Sequence, residues 1–160
     1  MRFLTCLLLV CLAATARAET LTGVVIVVID GDTVLFKPDH VAPQSRAFLK
    51  VRLAGIDAPE TGQPQGAAAM QALKALILKR RAVLTTLATD RYGRRVGRIE
   101  VDGEDAGHAM LARGLAWAGW HADAATRALE AEARRARRGL WREASPVPPW
   151  VWRRSSPTGS

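Results

Sequence analysis

Beyond residue 18 this chain has no cysteine, because Cys6 and Cys11 both lie in its N-terminal segment. The remainder therefore carries no thiol and no disulfide, and it holds its fold by core packing alone. Histidine is scarce as well: His40, His108 and His121 are scattered without metal-ligand spacing and read as surface or locally satisfied groups. Aromatic residues make up 6% of the chain, and no repeat or low-complexity tract is visible. The one long apolar run, Phe3 to Ala14, is too short to span a bilayer comfortably.

That run has the flanks of an export signal. Met1-Arg2 forms a basic start and Ala16-Arg17-Ala18 supplies a small-x-small cleavage pattern, so residues 1–18 are expected to be a signal peptide. Neither cysteine follows the Gly or Ala that precedes a lipoprotein cysteine, so no membrane anchor is expected after cleavage near Ala18. An exported product, periplasmic or secreted, is the expectation. An uncleaved anchor or a buried first helix is the weaker alternative.

With 160 residues, 49% hydrophobic and 24% charged, the chain has room for one globular domain with a modest core. Without Arg2 and Arg17 it keeps 21 basic residues against 15 acidic ones, a formal +6. Such a surface attracts polyanions, whether nucleic acid, anionic lipid or anionic polysaccharide, and charge alone does not choose among them.

Residues 21–29 are an apolar, β-branched run that ends in Asp30-Gly31-Asp32, which predicts a strand and a turn. Thr33 to Lys37 predicts a second strand, Pro38 to Ser45 a loop, and Ala47 to Ile56 a third strand stopped by Ala58-Pro59. Gly66 to Arg80 is Ala- and Leu-rich without a breaker and predicts a helix. Ala82 to Thr89 and Arg94 to Val101 predict strands joined by an Asp90-to-Gly93 hairpin turn. Asp105 to Ala112 predicts a short helix and Asp123 to Arg138 a longer one. The longer helix has Asp123→Arg127 and Glu130→Arg134 at i,i+4 and Gly139 as its stop. Five strands and about three α-helices suit an α+β fold, a five-stranded oligonucleotide/oligosaccharide-binding (OB-fold) β-barrel with the helices outside it. The domain is expected over residues 19–142, with a Pro/Trp/Arg-rich tail over 143–160. Trp150, Trp152, Arg153 and Arg154 could contact a nucleic-acid strand, but packing of the tail on its own domain is favoured.

Three segments carry candidate chemistry: Asp30-Gly31-Asp32-Thr33, Val51 to Glu60 (VRLAGIDAPE) and Asp90 to Arg94 (DRYGR). Each alone is a common turn, strand exit or hairpin tip. Together they put acids and arginines at strand ends, where small barrels place binding loops. If they converge, Asp32, Asp57 and Glu60 crowd three carboxylates, which raise one another's pKa unless a cation joins them. An all-oxygen set of this kind suits calcium, while magnesium would demand a stricter octahedron. With Arg52, Arg94 and a divalent ion the site keeps one net positive charge, which one phosphodiester balances.

These three segments, with Gly114 to Ala118 (GLAWA) and Arg137 to Trp141 (RRGLW), resemble the staphylococcal nuclease (thermonuclease) family from about Leu21 to Trp141. The tail also resembles C-terminal extensions of some exported homologues. The resemblance implies a nuclease that hydrolyses DNA and RNA with one calcium ion per site and leaves 3′-phosphorylated products. It implies that Asp32, Asp57 and the backbone carbonyl of Ala58 bind the metal. Glu60 would orient and deprotonate the attacking water, and Arg52 and Arg94 would bind the scissile phosphate. Arg91, Tyr92 and Trp120 match positions of the nucleotide pocket, whose second tyrosine would align near Ala122. Asp30 is either an outer acid of the metal site or a turn aspartate, and Thr33 either supports that site or favours its strand. A monomer is expected. The competing reading is a non-catalytic OB-fold module that binds nucleic acid or another polyanion.

Overall fold

The computed structural model describes residues 19–155, so the expected signal peptide and the last five residues lie outside it. Strands β1 (Glu19–Val28), β2 (Thr33–Pro38) and β3 (Leu49–Leu53) form an antiparallel meander. After β4 (Ile56–Asp57) and helix α1 (Gly66–Ile77) come β5 (Arg81–Thr89) and β6 (Arg95–Val101). Strand β5 pairs with β1, and β6 pairs in parallel with β3, which closes five strands into a barrel. The α+β OB-fold architecture expected from the sequence is the one observed.

Alternation explains the closure. In β1, Val25 and Val28 point inward while Val27 faces out, and Val34, Phe36, Val51, Leu84 and Ile99 complete the barrel interior. Leu73 and Ile77 of α1 close one side of this core, and Met110 and Leu111 of α2 (Ala106–Ala112) join it. A smaller cluster gathers Trp117, Ala133, Leu140 and Trp141, supplied by β8 (Trp117–Ala118), α3 (Ala124–Arg135) and the turn Gly139–Arg142.

Several expected boundaries shift. The third strand is broken: Ala54-Gly55 turns, with Gly55 at φ 74, and Ile56–Asp57 leaves the barrel to pair with β8. The first helix stops at Ile77 because Leu78 turns extended to bridge Val25 and the Lys79 amide donates to the Val25 carbonyl. Helix α3 ends at Arg135, and Arg137 takes the left-handed conformation, so Gly139 is not the residue that stops it. Glu130 and Arg134 do pair at 2.9 Å. Asp123 instead caps α3 and pairs with Arg98, while Arg127 donates to the carbonyls of Gly119 and Trp120. A two-residue strand, β7 (Glu104–Asp105), precedes α2. The tail contains a fourth helix, α4 (Pro149–Ser155), whose Trp150 packs on the Trp117 cluster. Among the described residues, no helix is long and apolar enough to cross a membrane.

Candidate active site

The turn between β1 and β2 places Asp32 at the mouth of the barrel. Asp30 Oδ1 accepts the Asp32 amide at 2.9 Å, so Asp30 serves as the turn aspartate while also lining the cleft. Asp32 is 3% exposed. Its Oδ1 accepts from the Thr33 hydroxyl at 2.9 Å and from Arg52 Nη1 at 2.7 Å, and its Oδ2 accepts the Ala58 amide at 2.9 Å. Burial pushes the Asp32 carboxyl up to about 7 against the lowering pull of Arg52, and nearby Asp30 adds to the rise. A carboxylate so deprived of water calls for positive charge. Thr33 therefore supports the Asp32 carboxylate directly.

Arg52 reaches Asp32 because β2 and β3 pair with Thr33 opposite Arg52. Its Nη2 also donates to Asp57 Oδ1 at 2.8 Å, so one guanidinium spans two carboxylates. Burial opposes that charge, yet Asp32 and Asp57 together hold Arg52 above its ordinary pKa. Asp57 is positioned by the strand break described above: Ile56–Asp57 turns out of the barrel and sets Asp57 opposite Trp117.

Glu60 follows on a short turn. Its amide donates to Gln63 Oε1 at 3.1 Å and its carbonyl accepts the Gln63 amide at 2.9 Å. Gly66, at the start of α1, lies directly beneath this turn. A Cβ added there would stand 1.9 Å from the Glu60 carbonyl oxygen, so only glycine permits the approach.

Arg94 enters from the other side. The parallel β3–β6 pairing puts Arg52 beside Val96, two residues beyond Arg94. Asp90 Oδ2 accepts from Arg94 Nε at 2.7 Å, and Asp90 Oδ1 accepts the amides of Tyr92 and Arg94, which fixes the hairpin tip. The guanidiniums of Arg91 and Arg94 lie 4.8 and 5.5 Å from the Tyr92 ring centroid.

Asp32, Arg52, Glu60 and Arg94 line one cavity of about 820 Å³, together with Arg91, Tyr92 and the Ala58-Pro59 backbone segment. A second cavity of about 810 Å³ shares Arg52, Arg91, Tyr92 and Arg94 with it and also contains Asp57, Trp120 and Ala122. Trp120 is 82% exposed and belongs only to this second cavity. The structure thus gathers the expected residues into one divided cleft, with Trp120 on the far side of the arginine wall.

Three contributors were not foreseen in the sequence. Lys50 adds a positive charge to the first cavity, and Asp90 orients Arg94. The third is Arg153 of α4. Its Nη2 lies 2.8 Å from Asp57 Oδ2, and its Nη1 lies 3.2 Å from Asp57 Oδ1 and 2.5 Å from Glu60 Oε1. Hydrogen bonds that it donates to Asp57 foremost, and to Glu60, hold Arg153 above its ordinary pKa despite partial burial. The Arg153-Arg154 pair beside Trp150 and Trp152 was the only sequence signal for it.

The donor set fits a hard cation. Asp32, Asp57 and Glu60 offer only oxygen, and each already binds a guanidinium. Among the described residues no three acidic, histidine or cysteine side chains close around a common point; Arg52 bridges Asp32 to Asp57, and Arg153 bridges Asp57 to Glu60.

A family model described as staphylococcal nuclease homologue matches residues 50–143. An Escherichia coli O157:H7 protein described as an uncharacterized endonuclease is 37% identical over 134 residues, which cover 82% of this chain and 84% of that protein. A micrococcal nuclease of Shigella flexneri is 37% identical over 147 residues, covering 84% and 81% of the two chains. The staphylococcal-like nuclease CAN1 of Arabidopsis thaliana is 36% identical over 114 residues, which are 70% of this chain and 35% of that protein.

Proposed function

The chain belongs to the staphylococcal nuclease family and is on that ground a nuclease, and from this we propose that it is an exported, calcium-dependent enzyme that cleaves DNA and RNA to 3′-phosphorylated products. The observation that carries this reading is the buried Asp32 carboxylate, bridged by Arg52 to Asp57 at the mouth of a cavity that also holds Glu60 and Arg94. Asp32, Asp57 and the Ala58 carbonyl are the residues that would hold calcium. Bound there, the ion would supply positive charge toward the phosphoryl oxygens and a template for the attacking water.

The remaining work falls to the protein's own side chains. Glu60 Oε accepts a proton from water, whose oxygen then attacks phosphorus in line with the departing 5′ oxygen. The new bond forms as the P–O5′ bond breaks, and the leaving oxygen takes up a proton from solvent. General-base assistance of this kind is worth on the order of 10²–10⁴ in rate. Arg52 and Arg94 donate to the non-bridging oxygens, and their hold strengthens as charge accumulates there. The three hydrogen bonds from Arg52, to Asp32, Asp57 and the Ile56 carbonyl, leave its Nε–H and one Nη1–H for phosphate. Arg91, Tyr92 and Trp120 offer cationic and aromatic faces to the nucleotides.

The test is product chemistry. Mature protein is incubated with single-stranded DNA and with RNA in a series of divalent ions, and the new ends are probed with a 3′-phosphatase and a 5′-kinase. The proposal expects fragments with 3′-phosphates and free 5′-hydroxyls, formed best with calcium. Fragments with 5′-phosphates, or equal rates in magnesium and calcium, would contradict it.

A further inference from the structure

Resting on that reading of the site, we propose that helix α4 is a built-in competitor of the divalent ion: Arg153 is a tethered cation seated on Asp57 and Glu60, and it must leave for the metal to bind.

The seating follows from the fold. Strand pairing sets Asp57 opposite Trp117. Trp150 packs edge-on against Trp117, with ring centroids 6.4 Å apart, and lies 6.4 Å from Trp120. Arg153 is three residues beyond Trp150 on the same helix, one turn along the same face. Docking of the tryptophan therefore delivers the guanidinium to the carboxylate. The approach is fixed further back by Gln63, whose Nε2 donates to the Val147 carbonyl at 2.5 Å. The same Gln63 braces the Glu60 turn, so the tail and the proposed base share one support.

Charge makes the exchange possible. Arg153 is the cation paired with Glu60, and it shares Asp57 with Arg52. One guanidinium carries the same net charge as a divalent ion together with a phosphodiester. The site can thus pass between a tail-filled state and a metal-and-substrate state without changing its overall charge. Tethering gives the guanidinium an effective concentration in the mM range, enough to oppose a metal site of comparable affinity. The contact lies within reach of solvent: the Arg153 side chain is 44% exposed, and α4 is only seven residues long.

The experiment measures metal binding directly. Calcium affinity is determined by calorimetry for the wild-type chain, for Arg153→Gln and for Trp150→Ala, with tryptophan fluorescence followed during each titration. The expected result is about tenfold tighter calcium binding by Arg153→Gln and a smaller gain for Trp150→Ala, which loosens the dock but keeps the charge. Calcium should also change the wild-type fluorescence as Trp150 leaves Trp117, and the change should be smaller in Trp150→Ala. Equal affinity in all three proteins overturns the proposal, as does weaker binding by Arg153→Gln, which would make Arg153 part of the binding site. If none of the three binds calcium, the calcium reading of the site fails too, an outcome distinct from three equal affinities.

Discussion

Arg52 Nη1 stands 2.7 Å from Asp32 Oδ1, and the register of β2 against β3 brings the two together. The carboxylate is almost wholly buried and the guanidinium largely so. Replacing Arg52 with alanine would strand Asp32 without a counter-charge, and breaking a buried pair in this way costs about 3–5 kcal/mol. Arg52→Ala should therefore lower both stability and activity. Denaturant unfolding checks the first, and cleavage per folded molecule the second. Full specific activity in the folded fraction would remove Arg52 from the phosphate site.

Arg94 separates the two effects more cleanly. It pairs with Asp90 at a half-buried hairpin tip and touches neither Asp32 nor Asp57. Without the guanidinium, Asp90 still accepts the backbone amides of Tyr92 and Arg94, so the loss of stability is that of about one hydrogen bond, ~1 kcal/mol. Arg94→Ala should melt close to the wild type and yet lose on the order of 10²–10³ in cleavage rate, the usual cost of removing one donor to a charged transition state. Thermal melting and initial rates on the same preparation test this.

Gly66 lies so close to the Glu60 carbonyl that an added Cβ must displace the turn. Alanine would favour α1 by about 1 kcal/mol in propensity alone. Gly66→Ala should nevertheless be less stable than the wild type and less active, because the Glu60 turn has to move. A variant more stable than the wild type with unchanged rate would show that the turn does not position Glu60.

Asp123 caps α3, and its Oδ1 accepts the Thr126 amide at 2.8 Å. That hydrogen bond foremost, with help from the Thr126 hydroxyl and Arg98, holds the carboxyl below the usual aspartate range. The folded value is thus lower than the unfolded one. The stabilisation is complete above the unfolded value of about 3.9 and is lost as pH falls through the lower folded value. Asp123→Asn should flatten the acid limb of the stability curve. Urea unfolding at several pH values below about 5 reads the slope, and an unchanged slope would mean the cap contributes nothing there.

The barrel was legible in the sequence because short apolar, β-branched runs bounded by turn residues mark β1, β2, β5 and β6. The motif acids were legible because turn and strand-end residues sit where the chain itself puts them. The break at Ala54-Gly55 was hidden, since Ile56 and Asp57 continue an apolar pattern and only pairing with Trp117 draws them out of the barrel. The end of α1 was hidden for a similar reason: Leu78 leaves the helix to bridge Val25, a partner distant in sequence. The seating of Arg153 on two carboxylates was the largest omission. Arg153 meets Asp57 across 96 positions through a helix of seven residues, and no local pattern encodes that contact. GLAWA and RRGLW, by contrast, find a physical reason in the structure. The Leu140 amide donates to the Gly114 carbonyl at 2.8 Å, and a Cβ on Gly139 would stand 2.3 Å from the same oxygen.

The most direct test of the central claim is the initial rate of plasmid and single-stranded DNA cleavage by mature protein, in calcium and in excess chelator, with Glu60→Gln measured alongside. The account predicts cleavage that needs calcium and falls on the order of 10²–10⁴-fold in Glu60→Gln. Tight retention of DNA with no calcium-dependent cleavage, or an undiminished rate in Glu60→Gln, would contradict it.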